Sequence, residues 1–303
     1  MVIGDRNVVV QNFTAGLTAL ATDYGLRVEN FLSDYLGTAE QPMPFGGRDR
    51  ELRALDDWLA DPAAPRYLLL AAPAGRGKSA LLVQWLRRLA TRPDVNVAFA
   101  PISIRFRTNL AVVVFAILAA RLAKLRDKAL PGALNISAEE WRGVMSGYLG
   151  EPAADGKPLL LIIDGLDEAA DWEPGPDLFP LAPPAGLRLV VSARFLAGDT
   201  DASPWLKRLG WTRRGLARTL TLEPLDRDGV ADLLRGVHPP LETAGTDLVG
   251  ELYRLTEGDP LLLHLYVADL TEQGDGAPRL RPQDLPDIPR GLPGYFEDWW
   301  LDQ

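Results

Sequence analysis

Residues Tyr67 to Leu82 read YLLLAAPAGRGKSALL, and the rest of the chain is arranged around them. The apolar run Tyr67 to Ala72 predicts a buried strand. A glycine-rich turn follows, and Lys78-Ser79 opens a segment with Leu81, Leu82, Trp85, Leu86 and Leu89 at helical spacing. Strand, loop and helix in that order make a phosphate cradle. Gly75 and Gly77 let the backbone bend until successive N–H groups face an anion, and the positive end of the new helix adds its attraction. Lys78 brings a mobile charge toward the β- and γ-phosphates of a nucleotide, and the Ser79 hydroxyl suits a bound Mg²⁺. The expected cradle is Ala74, Gly75, Arg76, Gly77, Lys78, Ser79 and Ala80, with Ala72 standing where the strict pattern has glycine.

The second anchor is Leu159 to Ala169, LLLIIDGLDEA. Its leading aliphatics suit a strand covered on both faces, as in a parallel sheet, whose ligands bind beyond the C-terminal strand ends. Asp164 is placed there to hold Mg²⁺, directly or through water. Asp167 and Glu168 are placed to position and deprotonate water, Glu168 as the base and Asp167 as its alternative. Leu187 to Ser192 (LRLVVS) is a further buried strand, leading into Arg194, which is poised toward the γ-phosphate. Val95 to Arg107 and Ala217 to Leu222 complete five strands, and helical patterns lie over 110–124 and from Ser137 through Leu149. Ser137-Ala138-Glu139-Glu140 is a capping-box signature. The expectation over 66–225 is a doubly wound α/β domain with a parallel five-stranded sheet.

Outside this region the pattern changes. Asn7 to Phe13 is β-prone and Gly16 to Leu36 has loose helical spacing, so residues 1–40 read as a tether or as an interaction strand and helix. A stiff Gln41-Pro42-Met43-Pro44 connector leads to Phe45-Gly46-Gly47-Arg48-Asp49-Arg50-Glu51-Leu52 and a helix. From Asp226 onward the periodicity is helical only, at 228–236, 246–256, 261–271 and 294–301, which predicts a small helical bundle over 226–303 with Pro260 at a helix start. The aromatic run Tyr295 to Trp300 is expected either to form a surface for a partner or to close the bundle core.

The 303 residues carry a net charge of −9 and a pI near 4.9, so bulk nucleic-acid or anionic-membrane binding is disfavoured. With no cysteine, disulfides, thiolate nucleophiles and cysteine metal sites are excluded. His238 and His264 are the only histidines, too few for a histidine-rich metal site. No signal-peptide pattern and no apolar run of membrane-spanning length is present, which makes a cytoplasmic location the default.

With these pieces assembled, the chain from about Phe45 onward resembles the STAND-class regulatory NTPases, P-loop proteins, and specifically their NACHT branch. The lead-in around Gly47-Arg48-Asp49 is similar to that family's GRE-type element, and Ala72 to Ser79 to its Walker A loop. Leu161 to Glu168 has the extended DGLDE form of Walker B, Ser192-Ala193-Arg194 stands for its TSR sensor, and Gly258-Asp259-Pro260 for its GxP motif. The resemblance implies a nucleotide-binding domain over 41–225, with Arg48 and Pro260 flanking the adenine and Arg194 sensing the γ-phosphate. It further implies a switch that is closed with ADP and, with ATP and Mg²⁺, opens to oligomerise or to relay a signal to an effector, hydrolysing ATP slowly. Family members continue into a winged-helix domain and sensor repeats and carry an N-terminal effector. The expectation is therefore a fragment of a longer protein or a minimal member served by partner proteins. Two rival readings share the motifs: a motor ATPase of the AAA+ or replication-initiator kind, with Arg235 and Arg254 as lid-arginine candidates, and a nucleotide-bound scaffold that never hydrolyses.

Overall fold

The computed structural model describes residues 18–38, 40–131, 136–152, 155–213, 215–237, 241, 247–271, 280–288 and 290–291. The expected strand Asn7 to Phe13, His238, and the segment 294–301 with its aromatic run lie outside the described residues. Among the described residues no helix is long and apolar enough to cross a membrane.

The chain runs α1 (Thr18–Leu36), α2 (Asp49–Ala60), β1 (Tyr67–Ala72), α3 (Lys78–Leu89), β2 (Asn96–Pro101), α4 (Ala111–Leu125), α5 (Ala138–Leu149) and β3 (Leu159–Asp164). It continues through β4 (Leu187–Arg194), α6 (Ser203–Arg208), β5 (Ala217–Thr221), α7 (Arg227–Arg235), α8 (Leu248–Thr256) and α9 (Pro260–Thr271), with a 3-10 turn at Pro282–Asp287. All strand pairings are parallel, in the order β2-β3-β4-β1-β5. This is an α/β P-loop NTPase-like fold with a five-stranded sheet.

The aliphatic runs explain the sheet. Every residue of β1, β2 and β3 is buried, because alternate side chains enter two separate cores. Tyr67, Leu69 and Ala71 join the core with α5 and α6, while Leu68, Leu70 and Ala72 join the core with α1, α2 and α3. β5 lies at the edge, and its side chains are half-buried or exposed. The expected strand over Val95 to Arg107 is shorter than the run of β-prone residues. After Pro101 only the Ile102 amide still reaches across, to the Asp164 carbonyl, and the Thr108 hydroxyl then accepts from the Ser103 amide to close a turn. The capping box at Ser137 forms, with the Glu140 amide donating to Ser137 and the Ser137 amide to the Glu140 carboxylate. Sequence patterning passes over α6, a six-residue helix whose Trp205 is buried and donates to the Arg194 carbonyl.

α1 packs as part of the α/β core. Tyr24, Val28, Phe31, Leu32 and Leu36 fall on one helical face and are buried with residues of α2 and α3. Phe31 meets Phe99 of β2 and Phe106 at ring-centroid distances of 5.9 and 5.4 Å.

α7, α8 and α9 form a third core, centred on Val230, Leu252, Leu255, Leu263 and Tyr266. Gly258 joins it to the end of the α/β region: its carbonyl accepts from the Leu225 amide at 2.8 Å, and its φ is +74°. A Cβ at this position would fall 1.8 Å from the Leu225 carbonyl oxygen. Gly258→Ala is therefore expected to lower stability by about 2 kcal/mol or more, from left-handed strain and backbone collision together. Urea unfolding followed by circular dichroism checks this; an unchanged midpoint would show that the junction yields freely.

Candidate functional site: a phosphate loop facing paired acids

β1 ends at Ala72, and the loop turns through Gly75 and Gly77 at φ of +79° and +83° before α3 begins at Lys78. Those left-handed angles are what glycine permits without strain. Lys78 is buried, and its ammonium donates to the carbonyls of Ala72 and Pro73 at 3.0 and 2.9 Å. Burial pushes its pKa down to about 8, against the pull of Asp167 and Asp164 in the other direction. The helix start, the loop amides and this ammonium gather positive potential at one point.

Opposite the loop lie the ends of β3 and β4. Asp164 is buried and accepts a short hydrogen bond from the Ser192 hydroxyl, which itself accepts from the Gly165 amide at 2.8 Å. Burial raises the Asp164 pKa, and the contacts with Ser192, Ser79 and Lys78 oppose that. One buried carboxylate beside one hydroxyl fits Mg²⁺, which binds few protein oxygens and takes its other ligands from phosphate and water. Among the described residues no group of three or more His, Asp or Glu side chains is arranged to hold a metal ion.

Arg194 lies at the end of β4, and its guanidinium is committed to the acids. Its Nε donates to Asp167 at 2.5 Å, its amide to the same carboxylate at 2.8 Å, and its Nη2 to Glu168 at 2.9 Å. The other Glu168 oxygen accepts from the Ile104 amide at 2.8 Å. The carboxylate expected to be the base therefore has both oxygens occupied.

A cavity of about 560 Å³ opens over the loop, and Lys78, Ser79, Asp167, Glu168 and Arg194 share its wall. Ala74 to Ala80, Arg48 and Pro260 also line it, while Asp164 lies buried behind Ser79. α9 reaches the loop directly. Arg76 pairs with Asp259 at 3.2 Å, and Gly75 packs against the Leu261 side chain. Arg48 is buried, with Nη2 donating to the carbonyls of Arg76 and Glu223 at 3.0 and 2.9 Å and Nη1 to Glu51. It thus braces the phosphate loop against the segment after β5. The lead-in is also tied to α7, since the Gly47 amide donates to Asp232 at 2.6 Å.

Several residues outside the expected set share this site, among them Ser192, His264 and Tyr35. The sequence marks Ser192 as the first residue of the Ser192-Ala193-Arg194 element, but not its bond to Asp164. His264 lines the cavity from α9, and Tyr35 does so from α1. No pattern in the sequence marks the last two, because each comes from a helix whose place depends on long-range packing.

Residues 44–192 match the family model described as an AAA ATPase domain. No curated protein matches the sequence. Among solved structures, the chain is similar to Cdc6p from Pyrobaculum aerophilum, with 15% identity and a TM-score of 0.50 over 78% of this chain and 64% of that one. The chain thus spans less than two thirds of that protein's length. It also aligns with a STAND protein from Pyrococcus horikoshii that has a tetratricopeptide repeat sensor, at 17% identity and a TM-score of 0.43, over 75% of this chain and 30% of that one. Sheet order and phosphate loop agree with the AAA ATPase match over residues 44–192: this part of the chain has an α/β P-loop NTPase-like fold.

Proposed function

We propose that the protein binds ATP with Mg²⁺ in this cavity, hydrolyses it slowly, and uses the difference between its ATP and ADP forms as a STAND-type, NACHT-like signalling switch. The ATP form oligomerises or passes the signal to an effector. The observation that carries this reading is the latch formed by Arg194 on both Asp167 and Glu168. A base with both oxygens engaged removes protons poorly, so turnover waits on release of Arg194. The γ-phosphate is the anion able to compete for that guanidinium, and Arg194 then distinguishes three phosphates from two.

In this mechanism Lys78 exchanges the Ala72 and Pro73 carbonyls for β- and γ-phosphate oxygens. Ser79 and Asp164 would hold Mg²⁺, which supplies neutralisation of phosphate charge when bound. Glu168, once freed, accepts the proton of the water that attacks the γ-phosphorus, and the bond to the bridging oxygen breaks to leave ADP and phosphate. Asp167 is less suited to that role, since its side chain is only 7% exposed against 26% for Glu168 and it holds both the amide and the Nε of Arg194. The energies suffice for a switch. Moving an equilibrium from nearly all closed to nearly all open takes about 5.5 kcal/mol, and charge-assisted hydrogen bonds contribute about 1.5–3 kcal/mol each. Two or three bonds made only to the γ-phosphate meet that need. Adenine is expected between the Arg48 lead-in and Pro260.

The AAA ATPase match is equally compatible with a motor. Motors place a lid arginine at the phosphates, and here Arg235 pairs with Asp232 while Arg254 bonds to Glu251 and the Leu285 carbonyl. Neither lines the cavity, which favours the switch. Denaturing the purified protein and separating what it releases by ion-exchange chromatography is expected to yield ADP. Protein that carries no adenine nucleotide would contradict a resting switch. Steady-state turnover well above about 1 per second, within the usual enzyme range, or strong stimulation by DNA would favour the motor.

A further inference from the structure

Arg76, in the turn between β1 and α3, draws its partner from the other side of the cavity. Its guanidinium pairs with Asp259 Oδ2 at 3.2 Å. Asp259 stands immediately before α9, where its Oδ1 accepts from the Leu261 and Leu262 amides at 2.9 and 3.1 Å and so caps the helix. Leu261 in turn packs against Gly75. The phosphate loop and the first turn of α9 thus meet through an apolar contact and an ion pair.

The pair is lopsided. A guanidinium presents a planar fork that suits two oxygens at once, yet Asp259 offers it Oδ2 alone, because the amides of α9 occupy Oδ1. Arg194, by comparison, holds its acids through Nε, Nη2 and its backbone amide. A terminal phosphate brings several oxygens and more charge into the cavity whose wall Arg76 shares. We propose that Asp259 is a positioning residue for Arg76: it keeps the guanidinium off the phosphates until a triphosphate arrives, and release of the pair tells the helical core of α7–α9 which nucleotide is bound. The proposal rests on reading the cavity as an ATP site. It supplies a link that Arg194 does not, since Arg194 and its acids all belong to the α/β side, whereas Asp259 starts α9.

Calorimetric titration of the full chain with Mg·ATP and with Mg·ADP tests this on Asp259→Asn, Arg76→Gln and the double variant. Asparagine preserves the cap on α9 and removes the charge, so Asp259→Asn is expected to tighten Mg·ATP binding about two- to fivefold, the strength of one partly exposed ion pair, with Mg·ADP affinity unchanged. Arg76→Gln breaks the same pair but is expected to weaken Mg·ATP binding about tenfold, the loss of one charge-assisted hydrogen bond. Adding Asp259→Asn to it should then change nothing. A clasp that serves the fold alone would move both single variants in one direction. Asp259→Ser, which also caps a helix, decides the matter should Asp259→Asn fail to fold. In the wild-type protein, amide exchange at residues 261–263 is expected to speed up with a non-hydrolysable ATP analogue and Mg²⁺, as the cap loses its anchor on the loop, but not with ADP. Unchanged or weaker Mg·ATP binding by Asp259→Asn, or equal shifts for ATP and ADP, would overturn the role given to Asp259. Wild-type protein that binds neither nucleotide would instead remove the ATP reading on which it rests.

Discussion

Glu168→Gln is expected to lower ATP turnover at least about 100-fold, the scale of a lost general base, while ATP affinity stays within a few-fold of the wild type. The substitution keeps the side chain's size and its ability to accept from the Ile104 amide, but removes the charge that Arg194 holds at 2.9 Å. Arg194 keeps its two bonds to Asp167, so the β4 end should stay in place. Phosphate release in the steady state, compared with binding of a fluorescent ATP analogue, separates the two effects. Native and variant protein turning over at the same near-zero rate would rule out catalysis and leave a nucleotide-bound scaffold. A variant retaining more than about one tenth of wild-type turnover would shift the base to Asp167.

Lys78→Ala should act on binding itself. The ammonium bonds to the carbonyls of Ala72 and Pro73, and removing two of its bonds to phosphate costs about 3 kcal/mol or more, which is on the order of a 100-fold loss of ATP affinity. Part of that loss is local, because the carbonyls of Ala72 and Pro73 lose the lysine as a donor, Ala72 keeping the Phe195 amide, and the loop loses a brace. Lys78→Arg is a useful companion. Its planar guanidinium cannot replace a compact point charge in a loop this close, so it should recover little. Thermal melting distinguishes loss of grip from loss of fold, since α3 remains anchored by Leu81, Leu82, Trp85 and Leu86.

The elements easiest to read are those whose residues carry the information locally. β1, β3 and β4 are aliphatic runs with sharp ends, and a strand covered on both faces leaves that trace wherever it sits. The phosphate loop is likewise local, because glycines, lysine and serine must be consecutive to cradle an anion. What escaped the sequence was pairing at a distance. The spacing from Asp167 to Arg194 shows that both lie at strand ends in one crevice, but not that the guanidinium turns to the acids. Only the adjacency of β3 and β4 brings them together. α1 is a similar case: Phe31 needs Phe99 and Phe106 to explain it, and nothing within residues 18–36 announces those partners. Arg48 was legible as belonging to the site, whereas its hold on the Arg76 and Glu223 carbonyls depends on how β5 lies beside β1.

The central claim is that backbone amides between β1 and α3 grip a triphosphate while Arg194 answers to its last phosphate. Hydrogen–deuterium exchange on the intact chain, with and without a non-hydrolysable ATP analogue and Mg²⁺, reads those amides directly. Slowed exchange at residues 74–80, together with a change at 192–195 that ADP fails to produce, is the predicted result. A nucleotide that binds yet leaves residues 74–80 exchanging at their original rate would contradict it.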